Sequence, residues 1–151
     1  MKFTFTLLAF CASVLYSTHS TAQVERVIYQ YLYINDSANV LHFRLNDSFE
    51  VIPWQHENKI MIETSTRLDN GNMDLLGIII REGRYNYTFD TEVPAISTLK
   101  QVQEARPLLK NKGLICKETV KLRIYIPSIF EKTSQFDYSR PSEALIASGG
   151  R

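Results

Sequence analysis

The sequence predicts a mainly β domain, either an antiparallel β-sandwich or a short β-solenoid-like sheet, with one short helix packed on it. Apolar and polar residues alternate with a period of two through much of residues 24–126, the signature of half-buried strands. Turn signals Asn35-Asp36-Ser37 and Asn46-Asp47-Ser48 recur eleven residues apart, a spacing typical of short strands in sandwiches. Only residues 72–82 place Leu and Ile at three- and four-residue intervals.

Residues 1–22 read as a secretory signal peptide. Lys2 gives a positive start, residues 7–16 an apolar core and Ser20-Thr21-Ala22 small residues for cleavage. The apolar run is about half the roughly 20 residues needed to span a bilayer, so no membrane span is expected after cleavage. Cys11 lies inside that run behind bulky Phe10, which excludes a lipidation site. The expected organisation is therefore a signal peptide over 1–22, a β-rich domain over 23–131 and a flexible C-terminal tail over 132–151. The expected location is secreted, either periplasmic or on the cell surface.

The chain has 17 basic and 16 acidic residues, and removing Lys2 leaves 16 of each. A nucleic acid or an anionic membrane would favour a basic excess or a basic run, and the sequence is read as offering neither. Zero net charge fits an envelope protein or a glycan as partner, and nothing specifies an oligomeric state. Cys116 is the one cysteine left after cleavage, so no internal disulfide forms and a buried thiol is expected.

Residues 24–34 are strongly β-prone, with Tyr29, Tyr31 and Tyr33 on one face and Ile28, Leu32 and Ile34 on the other. Large side chains on both faces favour a strand covered on both sides over one with an open aromatic face. Residues 40–45 turn Leu41, Phe43 and Leu45 inward. Residues 49–54 and 59–66 read as a hairpin, with Pro53 marking an edge, a bulge or the end of its strand and Ile60 and Ile62 facing in. Asn72 suits a helix N-cap and Gly83 a left-handed C-terminal residue. Gly77 and three consecutive isoleucines weaken the helix, and a strand over 78–80 is the competing reading. Residues 84–90 return to alternation, a short strand is expected near 96–99, and Asn111-Lys112-Gly113 reads as a hairpin turn. Residues 119–126 turn Val120, Leu122, Ile124 and Ile126 inward and Lys121, Arg123 and Tyr125 outward. Beyond Glu131 apolar residues are too scattered for another core element, although Phe136 or Tyr138 could dock.

The strand ending Pro53-Trp54, the phrase Lys59-Ile60-Met61-Ile62-Glu63-Thr64, the Leu75-Leu76 helix, Gly83-Arg84-Tyr85-Asn86-Tyr87 and the final strand through Tyr125-Ile126-Pro127 together resemble small secreted proteins of Bacteroidota-type bacteria. More distantly they are similar to auto-transporter adhesin head domains of the GIN type. The resemblance covers residues 24–131 and implies an envelope location and a β-rich fold. It brings no family active site with it.

No catalytic residue, metal ligand or cofactor site emerges. There is no Gly-x-Ser-x-Gly elbow, His-Glu-x-x-His helix or Cys-x-x-Cys pair. His42 and His56 are expected at the surface, and a Cys116 nucleophile would need one of them as its base. Asp69-Asn70-Gly71-Asn72-Met73-Asp74 offers oxygen ligands but lacks the EF-hand pattern, and a turn leading into a helix explains it better. The Asn-x-Ser/Thr triplets at Asn35, Asn46 and Asn86 read as turn and strand chemistry. A small secreted hydrolase using Glu57, Glu63 and Asp69 is the enzymatic alternative. Tyr29, Tyr31, Tyr33, Trp54, Tyr85 and Tyr87 form the candidate recognition set, since rings on a rigid sheet can stack on sugars or anchor a partner. The favoured competing reading places the same rings in a sandwich core.

Overall fold

The computed structural model describes residues 23–90 and 92–141. The expected signal peptide and residues 142–151 of the expected tail lie outside the described residues. Strands run β1 Gln23–Tyr33, β2 Val40–Arg44, β3 Ser48–Trp54 and β4 Lys59–Asp69, followed by helix α1 Met73–Arg81. Then come β5 Tyr87–Asp90, β6 Ile96–Gln101, β7 Lys110–Asn111, β8 Leu114–Ile115, β9 Lys117–Pro127, β10 Glu131–Lys132 and β11 Asp137–Ser139. One sheet has the order β1-β4-β9-β3 and the other the order β10-β11-β2-β6-β5, with β7 and β8 forming a separate hairpin.

Alternation on β4 explains how the sheets meet. Ile60, Ile62, Thr64, Thr66 and Leu68 are buried, while every residue between them is partly open. Ile60 and Ile62 join Leu122, Ile124 and Ile126 of β9 against Leu41, Phe43 and Leu99 of the second sheet. Each such fully buried aliphatic contributes about 1.5–3 kcal/mol. At the other end of the first sheet, Leu76 and Ile79 of α1 pack with Leu68, Tyr85 and Cys116, and Val24, Ile28 and Val120 flank them. The expected helix therefore forms and extends the layer that covers the first sheet. Asn72 caps it by accepting from the Leu75 N–H at 2.8 Å. Its end is a Schellman turn: the Gly83 N–H donates to Ile80 and the Arg84 N–H to Ile79, with Gly83 at φ 76°.

Not every pairing is antiparallel. β2 pairs with β6, and β3 with β9, in parallel register. The expected hairpin between residues 49–54 and 59–66 does not form, because β9 lies between β3 and β4. The segments β2–β3 and β6–β9 each cross from the second sheet to the first, and they stack as two arches with their corners adjacent. Asp47, on the first corner, accepts two bonds from Arg106 at 2.9 and 2.6 Å and one from Gln101 at 2.6 Å. Asn46 donates to the Glu104 carbonyl at 3.1 Å. A second clamp joins Arg84, 6% exposed, to Glu118 at 2.8 Å and to the Pro107 carbonyl at 2.8 Å. Burial pushes the Glu118 carboxyl up, but the Arg84 bonds and charge, with the neighbouring Tyr85 hydroxyl and the Arg106 charge, together outweigh this and hold it below the usual carboxylate range.

The domain also extends past Glu131, where a loose tail is expected. β11 pairs with β2, Tyr138 packs on Phe43 at 5.4 Å and Phe136 lies 6.3 Å from Phe49. A short polar strand holds here because β2 lends it a backbone edge and the two rings find aromatic partners. At the opposite edge of the second sheet, Gln30 closes the gap to β5. Its side chain donates to the Tyr87 carbonyl at 2.8 Å and accepts from the Tyr87 N–H at 3.0 Å.

Two pairs of variants check this reading by urea unfolding. Gly77→Ala has room, with only the tip of Arg81 within 4 Å of the added carbon, and is expected to stabilise by about 0.5–1 kcal/mol. Gly83→Ala meets Asn86 at 2.8 Å and keeps a positive φ, so it is expected to destabilise by about 1–2 kcal/mol. Asp47→Ala leaves Arg106, 13% exposed at its side chain, without its partner and is expected to cost about 3 kcal/mol. Asp47→Ala/Arg106→Met is expected to recover part of that loss.

Candidate recognition face

The outer face of the four-stranded sheet carries no covering layer among the described residues. Registers place side chains on it in rows across the strands: Tyr31, Met61, Tyr125 and Ile52, then Tyr29, Glu63, Arg123 and Glu50. Tyr29, Tyr31 and Tyr33 are 56%, 54% and 73% exposed. Inward residues Val24, Ile28 and Leu32 of β1 flank the two cores, which leaves the tyrosines on the solvent side. They do not fill the core, as the favoured reading of the sequence has it.

Trp54 ends β3 at one pole of this face. Its ring lies 6.3 Å from Tyr31, 6.4 Å from Tyr125 and 4.0 Å, edge to face, from His56. Lys59 reaches between two rings, with its Nζ 5.6 Å from the centre of Tyr31 and 5.7 Å from that of Trp54. Beside the rings, Glu63 accepts from the Tyr125 hydroxyl at 3.1 Å and from Arg123 at 3.2 Å. Partial burial and the bond to Glu63 together push the Tyr125 hydroxyl pKa up. A polar hollow of about 680 Å³ adjoins the same pole, lined by Asp36, Gln55, His56, Glu57, Asn58 and Arg140, with Ile129 as the apolar side chain among them.

Tyr85 and Tyr87 do not belong to this face. They are 3% and 2% exposed, Tyr85 against α1 and Tyr87 between the sheets. The exposed aromatic set is Tyr29, Tyr31, Tyr33 and, partly covered, Trp54, joined by Lys59, Met61 and Tyr125. The alternation that turns Tyr125 outward in the sequence carries the signal for it, whereas the approach of Lys59 to Trp54 depends on β9 separating their strands.

Other chemistry is accounted for locally. Glu63 and Asp69 lie six residues apart on one strand, about 20 Å by strand rise. Asp69 pairs with Arg67 at 3.3 Å, and Glu57 sits in the loop before β4, so the three carboxylates do not converge. Among the described residues no three His, Cys, Asp or Glu side chains gather as a metal site, and no helix is long and apolar enough to cross a membrane. Cys116 is buried, with its Sγ 3.4 Å from the Asn70 carbonyl.

Asp137 accepts from Ser134 at 2.5 Å and pairs with His42 at 2.6 Å. This is not a nucleophilic relay, because the carboxylate stands between the hydroxyl and the imidazole, and the serine proton is not directed at the histidine. The group works as a clamp on β11. No family model matches the chain, and no curated protein and no solved structure matches it.

The clamp gives a pH prediction. Ser134 first and His42 second hold the Asp137 carboxyl below its usual value. Its contribution is thus fully present above the ordinary carboxylate range, near pH 4, and is lost as pH falls through the lowered folded value. Asp137→Asn is expected to shrink the loss of stability on acidification, measured by urea unfolding between pH 7 and pH 3.

Proposed function

We propose that the protein is a secreted, non-enzymatic binding module of the cell envelope, adhesin-like in role, which recognises a glycan at the Trp54 pole. The observation that carries this reading is a group of rings held open on a rigid sheet beside a polar hollow. Sugars present an apolar C–H face that stacks on aromatic rings and hydroxyls that bond carboxylates and amides. Tyr31, Trp54 and Tyr125 offer the first surface, and Asp36, Gln55, Glu57 and Asn58 offer the second. Strands fix the rings before binding, so little freedom is lost when a ligand stacks on them. Export through the residue 1–22 signal, and the likeness of the strand phrases to GIN-type adhesin heads, support an envelope setting.

Trp54 is the chain's single tryptophan, and its emission reports on the site directly. Titration with soluble oligosaccharides of β-linked glucose and N-acetylglucosamine is expected to shift that emission saturably for at least one of them. Direct calorimetry is expected to show binding weakened about tenfold or more in Tyr31→Ala and in Trp54→Ala, a loss of at least 1.4 kcal/mol. Val27→Ala, farther along β1, is expected to leave affinity within twofold. Unchanged emission across the panel, or affinity that survives loss of Trp54, contradicts the proposal.

A further inference from the structure

The end of the four-stranded sheet opposite Trp54 adjoins the β7–β8 hairpin, and this hairpin has a chemistry of its own. Between Glu104 and Glu118 the chain holds four bases, Arg106, Lys110, Lys112 and Lys117, and no acid. The near-balance of 17 basic and 16 acidic residues conceals this run, and the expectation of no basic run fails here. Arg106 is engaged by Asp47, whereas the three lysines are exposed. The same stretch leaves Leu108 77%, Leu114 61% and Ile115 56% exposed.

The hairpin is presented as a tip. Lys110 stands opposite Ile115 and Asn111 opposite Leu114, so each face carries an aliphatic side chain. Lys112 and Gly113 both take left-handed backbone, φ 49° and 82°, as a two-residue hairpin turn requires. A carbon added at Gly113 would meet nothing within 4 Å, so the turn stands clear of the domain. Its base is fixed: Asn70 donates to the Ile115 carbonyl at 3.2 Å, Asn111 donates to the Asn70 carbonyl at 3.0 Å and Cys116 donates to the Leu109 carbonyl at 2.9 Å.

An acidic protein groove would satisfy the lysines and cover one face of the hairpin. A bilayer interface takes apolar side chains from both faces at once, while lysine stems lie in the apolar layer and their ammonium groups reach the phosphates. Lysines ringing the aliphatics set the sign of the surface they complement. We propose that the β7–β8 hairpin docks the protein on an anionic lipid bilayer through Leu108, Leu114 and Ile115, with Lys110, Lys112 and Lys117 at the headgroups. Such docking turns the Trp54 pole, about 33 Å away along β4, toward the medium.

The test uses the full chain as a Trp54→Phe/Leu114→Trp variant, which puts its one indole at the tip and reads the hairpin separately from residues 1–22. Vesicles of phosphatidylcholine mixed with phosphatidylglycerol are expected to shift the emission to the blue, and brominated acyl chains to quench it. Vesicles of phosphatidylcholine alone are expected to do neither. Adding Lys110→Gln and Lys112→Gln is expected to weaken binding about twenty-five-fold, near fivefold for each lysine. Three results overturn the proposal: no shift with either vesicle, an equal shift with both that ignores the lysines, or a concentration-dependent shift without vesicles. The last assigns the hairpin to a protein contact.

Discussion

Two chain corners have to stack in register for this fold to exist, and Asp47 is the group that ties them. β2 and β3 form one arch between the sheets, β6 and β9 the other, and both parallel pairings depend on the corners lying side by side. A carboxylate on one corner and a guanidinium on the other give a bidentate contact that tolerates little shift. Such a pair is a modest source of net stability, because removing two charges from water offsets much of their attraction. Its larger effect is on alternatives: a shifted corner leaves Arg106 or Asp47 buried without its partner.

Everything on the outer face follows from that registration. With the arches aligned, β9 enters between β4 and β3, and the odd-numbered positions of β1, of β4 and of β9 as far as Tyr125 lie on the outer face. A slip of one residue would exchange the faces, putting Lys59 and Glu63 inside and Ile60 and Ile62 outside. The burial of the even positions of β4 thus fixes where the tyrosines of β1 stand. The sheet then has two unlike ends: rings beside polar side chains at the Trp54 pole, and aliphatics ringed by lysines at the hairpin.

The legible parts of the sequence were those decided by neighbours in the chain. Period-two burial on β4, the Asn72 cap, the left-handed Gly83 and the Asn111-Lys112-Gly113 turn are local choices, and each forms as its residues indicate. The pairing of β3 was not legible, because adjacent strands with a four-residue connection read as a hairpin and nothing local announces a parallel partner some seventy residues away. β11 escaped for a similar reason: its stability comes from the edge of β2 and the ring of Phe43, not from its own composition. β1 carries large side chains on both faces, so alternation alone could not choose which face is bare. Of the six aromatic residues singled out, Tyr85 and Tyr87 went inward, since Tyr85 follows the helix into the core beneath α1 and Tyr87 begins the short strand that Gln30 closes.

Exposure of one tyrosine set and burial of the other is the point on which both faces of the first sheet depend. Hydroxyl-radical footprinting of the folded protein, resolved residue by residue by mass spectrometry, measures it directly. Rapid oxidation of Tyr29, Tyr31 and Tyr33 with Tyr85 and Tyr87 protected until unfolding is the predicted result. Protection of the β1 tyrosines, or oxidation of Tyr85 and Tyr87 at comparable rates in the native state, would contradict the arrangement of strands on which the recognition face rests.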